Sequence, residues 1–138
     1  MSQALLTGLA RTSVPRTALR RFLALDAVVT GANGIAYLAA SGPLAELLGV
    51  GRMLLLGIGA FLTVYAAGVA WLASRPRPAA LGVRAVIEAN LGWVVASVAA
   101  LVLWLEPTVA GEVWTLLQAG TVAGFAALQW AALRAATP

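Results

Sequence analysis

The sequence contains no cysteine, no histidine and no lysine, and only 10% of its 138 residues are charged. Without cysteine the chain has no disulfides and no thiol redox chemistry; without histidine it has no histidine-ligated haem and no histidine-dependent nucleophile. Neither carboxylate within the apolar stretches, Asp26 or Glu88, has a nucleophile beside it. We therefore expect a protein that is not an enzyme and that has no metal site and no cofactor.

Apolar residues are abundant instead, at 62% of the chain, with a mean hydropathy of +0.92. Soluble domains contain about 45–50% apolar residues. The net charge is +4, and every basic residue is an arginine. Because arginines that flank apolar spans are topology signals, we expect a membrane protein and no nucleic-acid partner.

Four stretches are long enough to cross a bilayer core, which takes about 20 residues. They cover residues 22–40, 53–73, 83–105 and 113–133. Spans of this length must satisfy their own backbone groups, so they are expected to be helices. The prediction is an all-α, four-helix transmembrane bundle over residues 22–138, preceded by an arginine-rich cytoplasmic segment over residues 1–21.

The arginines also predict an orientation. Eight of them fall on one side of the predicted membrane, and Arg52 is the exception; the eight are Arg11, Arg16, Arg20, Arg21, Arg75, Arg77, Arg84 and Arg134. Arginine is enriched in cytoplasmic loops, so both termini are expected in the cytoplasm.

Small residues recur on the fourth span. Gly120 and Gly124 are four residues apart, and Ala119, Ala123 and Ala127 follow the same spacing. Such a face lets helix backbones approach closely in lipid. It is expected to meet either a helix of the same bundle or another subunit.

The two halves of the chain resemble each other. In the first half, an arginine, an acid and an asparagine occur in the order Arg21, Asp26 and Asn33. The second half repeats this order with Arg84, Glu88 and Asn90. This pattern indicates either two duplicated helical hairpins or convergent membrane patterning.

Six acidic or amide side chains interrupt the apolar spans: Asp26, Asn33, Glu88, Asn90, Gln118 and Gln129. Asp26, Glu88 and Gln129 are expected at a similar depth, and ionisable groups within a membrane mark functional sites by default. One hypothesis is a proton or cation relay built on Asp26 and Glu88. The other is that Arg21 and Arg84 pair with the two carboxylates and fix helix rotation. The amides are expected to form interhelical hydrogen bonds, worth about 0.6–2 kcal/mol each.

Trp93 differs from the other four tryptophans, which fall near predicted interfaces. It lies deep in the third span, one turn beyond Asn90. It is expected either to line a pocket for a flat apolar ligand such as a quinone or to be a bulky packing residue.

Several segments together resemble a family of small four-helix bacterial integral membrane proteins of unknown function. The segments are 21–32, Gly42-Pro43-Leu44-Ala45, Glu88-Ala89-Asn90 with Trp93, Pro107-Thr108, and Gln118-Ala119 with Leu128-Gln129. The resemblance implies the four-helix fold and a bacterial membrane, and it implies no chemistry.

Three functions remain open. The first is a non-catalytic accessory or scaffolding subunit that packs against a larger membrane complex. The second is a small proton- or cation-coupled transporter using Asp26 and Glu88, and the third is lipid or quinone binding near Trp93. The expected partners are membrane lipids and either other membrane subunits or further copies of the chain.

Overall fold

A computed structural model describes the backbone of residues 2–136 and the side chains of residues 14–136. Five helices follow one another: α1 (Ser2–Ala39), α2 (Ser41–Leu48), α3 (Arg52–Ser74), α4 (Ala80–Leu103) and α5 (Val109–Ala136). No strand occurs among the described residues, so the all-α prediction is confirmed. Four of the helices are apolar and long enough to span a membrane, over Val14–Ala39, Arg52–Ser74, Ala80–Leu103 and Val109–Ala136.

The helices extend beyond the apolar stretches that predicted them. α1 begins at Ser2 and continues through Pro15, so the arginine-rich segment is the start of the first helix. α4 begins at Ala80, directly after the Pro76–Pro78 turn, and α5 continues to Ala136. Hydropathy marks the part of a helix that lies in hydrocarbon, whereas the helix itself continues until backbone geometry ends it.

α1 lies at the centre of the packing. It packs most extensively against α3 and also against α5, and α5 in turn packs against α4. α3 and α4 lie on either side of this core and have little direct contact with each other. The order around the bundle is therefore α3, α1, α5, α4, with a gap between its first and last members.

The bundle is closed at one end. This arginine-rich end contains the first part of α1, the α3–α4 connection and the end of α5. All four long helices contribute to its buried core, which comprises Leu19, Leu23, Ala27, Val69, Leu72, Ala73, Val83, Val86, Ile87, Ala126, Ala132 and Leu133. Arg20 donates a hydrogen bond from Nε to the carbonyl of Ala73 (3.1 Å), near the C-terminus of α3, where the helix dipole favours a cation.

The opposite end, which contains α2, is more open. Its buried core consists of Tyr37, Ala45, Leu55 and Leu62, from α1, α2 and α3. α4 adds only the partly buried Trp93 to this cluster. The gap between α3 and α4 therefore widens toward this α2 end.

Two glycines allow a close crossing of α1 and α3. A Cβ atom on Gly34 of α1 would lie 3.0 Å from the carbonyl oxygen of Gly59 on α3, and one on Gly59 would lie 2.9 Å from the carbonyl oxygen of Gly34. Only glycine permits this approach of α1 and α3.

The predicted small-residue face of α5 lies elsewhere. A Cβ atom on Gly120 or Gly124 would meet no atom within 4 Å. Ala119 on the same helix is buried, whereas Ala123 is half-buried and Ala127 is exposed. No other described helix of this chain therefore packs against Gly120 or Gly124.

Candidate functional site

Five polar side chains meet inside the bundle, between its closed and open halves. This Asp26 network consists of Asp26 and Thr30 from α1, Tyr65 from α3, Asn90 from α4 and Gln129 from α5. Asp26 and Gln129 are fully buried, and Asn90 is 4% exposed. Every long helix thus contributes to one polar cluster.

Both oxygens of Asp26 accept hydrogen bonds. Thr30, one turn further along α1, donates its hydroxyl to Oδ1 at 2.9 Å. Asn90 Nδ2 donates to Oδ2 at 2.8 Å, and Gln129 Nε2 donates to the same oxygen at 2.7 Å. The carboxylate is therefore solvated by a hydroxyl and two amides rather than by water.

The amides are themselves linked. Asn90 Nδ2 also donates to Gln129 Oε1 at 3.1 Å, which closes a triangle with Asp26. The Tyr65 hydroxyl donates toward Asn90 Oδ1 at 3.0 Å and lies 3.2 Å from the carbonyl oxygen of Val86. Because unpaired polar groups are costly in hydrocarbon, this set of bonds fixes the rotation of each helix about its axis.

Among residues 14–136, no arginine is a hydrogen-bond donor to Asp26. Asp26 is bonded by neutral groups only, and Arg21 lies exposed one and a half turns away along α1. Arg84 and Glu88 are exposed too, and they border a surface recess of about 300 Å³ together with Trp130 and Arg134. The geometry brings Asp26, Asn90 and Gln129 together and leaves Glu88 outside, so the two carboxylates do not share a site.

The gap between α3 and α4 contains two adjoining cavities. The first has a volume of about 240 Å³ and lies toward the α2 end; the second has about 330 Å³ and reaches Thr30, Tyr65 and Asn90 of the Asp26 network. Tyr37, Trp93, Ala96 and Gln118 line both. We call the two cavities together the α3–α4 cleft.

Aromatic rings bridge α3 and α4 beside this cleft. Phe61 stacks on Tyr65 with ring centroids 5.9 Å apart, and on Trp93 of α4 at 6.2 Å. Phe61 is 54% exposed, so the stack forms part of the outer surface. Trp93 lines the cleft and also contacts α3. It is therefore both of the things that the sequence offered as alternatives, a residue of a pocket wall and a packing residue.

A second set of hydrogen bonds supports the far wall of the cleft. Trp93 Nε1 donates to Gln118 Oε1 at 2.7 Å, and Gln118 Nε2 donates to the hydroxyl of Ser97 at 3.1 Å. Trp93 and Ser97 are one turn apart on α4, so Gln118 holds α4 to α5. Trp114 Nε1 donates to the Tyr37 hydroxyl at 2.6 Å and joins α5 to α1.

Two polar groups of α1 in the cleft keep hydrogen-bonding capacity. Asn33 is half-buried, lines the second cavity and has no hydrogen bond to any residue in the described part of the chain. The Tyr37 hydroxyl accepts a bond from Trp114 and donates to no described residue. The two residues are one turn apart on the cleft-facing side of α1.

Tyr37, Tyr65 and Ser97 belong to the site but were not predicted as site residues from the sequence. A signal existed for Tyr37, because Asn33 and Tyr37 follow Thr30 and Asp26 at the helical spacing of three to four residues. Tyrosines near helix ends are typical of membrane interfaces in general, so composition alone does not separate Tyr37 from an interfacial anchor.

No family model, no curated protein and no solved structure matches this chain significantly. Its four long apolar helices are those of a multi-pass helical membrane protein. The family resemblance drawn from the sequence stays a prediction.

Proposed function

We propose that this protein is a non-catalytic membrane protein that binds an apolar molecule in the α3–α4 cleft. The observation that carries the proposal is the gap between α3 and α4, with its two adjoining cavities of about 240 and 330 Å³. Binding sites for small molecules are concave and mostly apolar, with a few polar groups that orient the ligand. The cleft has this composition.

Access from the bilayer supports the proposal. Leu54 and Phe61, which line the cleft from α3, are 45% and 54% exposed, and Ala96 on α4 is exposed as well. An apolar molecule dissolved in the membrane reaches such a cleft sideways, without crossing water.

The proposed setting is a bacterial inner membrane with the arginine-rich end in the cytoplasm. The charge bias supports this orientation, because Arg52 is the one arginine near the α2 end. Trp71 with Arg75 and Trp130 with Arg134 form cation–π pairs at 4.5 and 4.7 Å, as expected at a membrane interface.

A pair of bulky substitutions tests ligand binding. Ala96→Phe places a ring in both cavities, whereas the neighbouring Val95→Phe adds its ring on the lipid-facing side, where Val95 is 68% exposed. Each variant is extracted with its surrounding bilayer in a styrene–maleic acid polymer, and bound small molecules are measured by mass spectrometry. We expect an apolar compound enriched over bulk lipid in wild type and in Val95→Phe, and absent from Ala96→Phe. Equal lipid content in all three would refute the proposal.

A second candidate function is that of an accessory subunit in a larger membrane complex. The observation that favours it is the open surface at Gly120 and Gly124, where no atom of the chain occupies the space that a Cβ would reach. Small residues four apart let a helix of another protein approach closely.

Copurification tests this candidate. Gly124→Leu overfills the α5 face, and Gly57→Leu is the matched control, because Gly57 is equally open but has no glycine or alanine four residues before or after it. From gentle extracts at native expression, we expect stoichiometric partner subunits with wild type and Gly57→Leu but not with Gly124→Leu. A protein that purifies without other subunits would exclude this function and leave ligand binding unaffected.

A further inference from the structure

We infer that the α3–α4 cleft binds a neutral lipid whose head group is a ring bearing two oxygens, the chemistry of an isoprenoid quinone or its quinol. This inference rests on the proposed ligand-binding function and specifies which ligand class the cleft accepts. The feature that identifies the class is a pair of polar groups on α1 that retain hydrogen-bonding capacity, the Asn33 amide and the donor of the Tyr37 hydroxyl.

The charge of the head group follows from the lining of the cleft. Of the residues that the structure describes, no arginine, aspartate or glutamate lines either cavity. An anionic phosphate or carboxylate would therefore enter hydrocarbon without a counter-charge, at a large free-energy cost. The lining of the cleft therefore excludes an anionic phospholipid head group and accepts a neutral head group.

The depth of Asn33 in the membrane also favours a ligand other than a phospholipid. Asn33 is six positions before Ala39, the last residue of α1. At 1.5 Å per residue, Asn33 therefore lies about 9 Å inside the end of the helix. Phospholipid head groups stay at the interface. A head group that reaches Asn33 belongs to a molecule that is soluble in the hydrocarbon layer.

The number of oxygens follows from the spacing of the two polar groups. Asn33 and Tyr37 are separated by four residues, a rise of about 6 Å along α1. Asn33 supplies an amide donor and acceptor, and the Tyr37 hydroxyl supplies a donor. A ring with oxygens on opposite sides can engage both, as a quinone through its carbonyls or as a quinol through its hydroxyls, whereas a single-headed alcohol engages one.

The shape of the head group follows from the rings around it. Tyr65, Phe61 and Trp93 form a stacked row, and all three line the second cavity. Flat aromatic surfaces favour a flat ligand ring. The first cavity is lined by aliphatic side chains such as Leu54, Leu55 and Ile58, and it accommodates the start of an apolar tail.

Quenching of tryptophan fluorescence measures this binding directly. Delipidated protein in phosphatidylcholine nanodiscs is titrated with a naphthoquinone that carries an isoprenoid tail. The competitors are an isoprenoid alcohol of equal tail length and phosphatidylglycerol. We expect saturable quenching by the quinone, weak competition by the alcohol and none by phosphatidylglycerol.

Two variants test the assigned contacts independently. Asn33→Leu removes the amide at similar volume, and Tyr37→Phe removes only the hydroxyl. Loss of one hydrogen bond in a low-dielectric site weakens binding roughly tenfold, so we expect this increase in Kd for each variant. Thr121→Val is the control, because Thr121 is exposed on α5 and its hydroxyl donates to the carbonyl of Leu117 in its own helix. Its Kd should equal that of wild type.

The outcomes separate this inference from the function on which it rests. If Ala96→Phe loses its ligand while Asn33→Leu and Tyr37→Phe bind the quinone as wild type does, the cleft is a binding site but the head-group assignment is wrong. Displacement of the quinone by phosphatidylglycerol would also overturn the assignment. If neither the quinone nor any copurified lipid depends on Ala96, both the function and the inference fail.

Discussion

Asp26 is a buried carboxylate that the fold supplies with donors rather than with a cation. Its two oxygens accept three hydrogen bonds, from Thr30, Asn90 and Gln129. A neutral donor set leaves the carboxylate as the shared acceptor that connects α1 to α4 and α5. This explains why polar residues interrupt three apolar helices at one level of the bundle.

Two substitutions of Asp26 test this role. Asp26→Asn keeps an oxygen that accepts from Asn90 and Gln129, and its amide can donate to the hydroxyl of Thr30, so we expect stability within about 1 kcal/mol of wild type. Asp26→Leu leaves the buried Gln129 amide without its acceptor and leaves Asn90 Nδ2 with only its bond to Gln129 Oε1, at about 1–3 kcal/mol for each N–H that loses its partner. Thermal unfolding in detergent, followed by size-exclusion chromatography, measures the difference. If Asp26→Leu is as stable as wild type, the network has no structural role.

The members of the network could be predicted only in part from the sequence. Helical rise places Asp26 and Gln129 at one depth, because depth depends on residue count alone. Rotation about the helix axis depends on packing. This is why Glu88, which is expected at a similar depth to Asp26, does not join the network and faces outward with Arg84.

At the scale of the helices, α1 and α3 cross in close contact. Gly34 and Gly59 face each other there, whereas the Gly120 and Gly124 spacing that the sequence makes conspicuous lies on an open surface. A spacing of four residues indicates that a face permits close approach. It does not indicate which helix, if any, packs on that face.

Alanine substitutions distinguish these two surfaces. Gly59→Ala puts a methyl group 2.9 Å from the carbonyl oxygen of Gly34, so we expect a loss of about 1–3 kcal/mol of stability. Gly124→Ala meets no atom of the chain and gains helix propensity, so the stability of the isolated chain should be unchanged or slightly higher. The same thermal assay compares them, and a stable Gly59→Ala variant would contradict the proposed crossing.

At the scale of the whole molecule, the bundle is closed at the arginine-rich end and open at the α2 end. Four spans, the all-α architecture and the approximate bounds of α3, α4 and α5 were predicted from hydropathy, because hydrocarbon permits few alternatives, whereas the start of α1 at Ser2 was not. The cleft was not predicted. It depends on α4 packing mainly against α5 and having little contact with α3, which the hydropathy of the spans does not determine.

The orientation of the whole chain is open to a direct labelling test. The chain has no native cysteine, so a single introduced cysteine reports one position. A membrane-impermeant maleimide applied to intact bacterial spheroplasts should label Glu106→Cys in the α4–α5 connection. It should label Arg77→Cys in the α3–α4 connection only after the membrane is permeabilised. The reverse pattern would place the arginine-rich end outside.

The location of bound apolar molecules tests the central claim most directly. A hydrocarbon-soluble diazirine is photoactivated in membranes containing the protein, and the labelled residues are identified by peptide mass spectrometry. We predict saturable labelling of cleft residues such as Ile58, Ala96 and Gln118, above the labelling of lipid-facing residues such as Val28 and Val64, which are 68% and 74% exposed. Labelling that simply follows exposure to lipid, with no saturable component between α3 and α4, would contradict the claim that the cleft is a binding site.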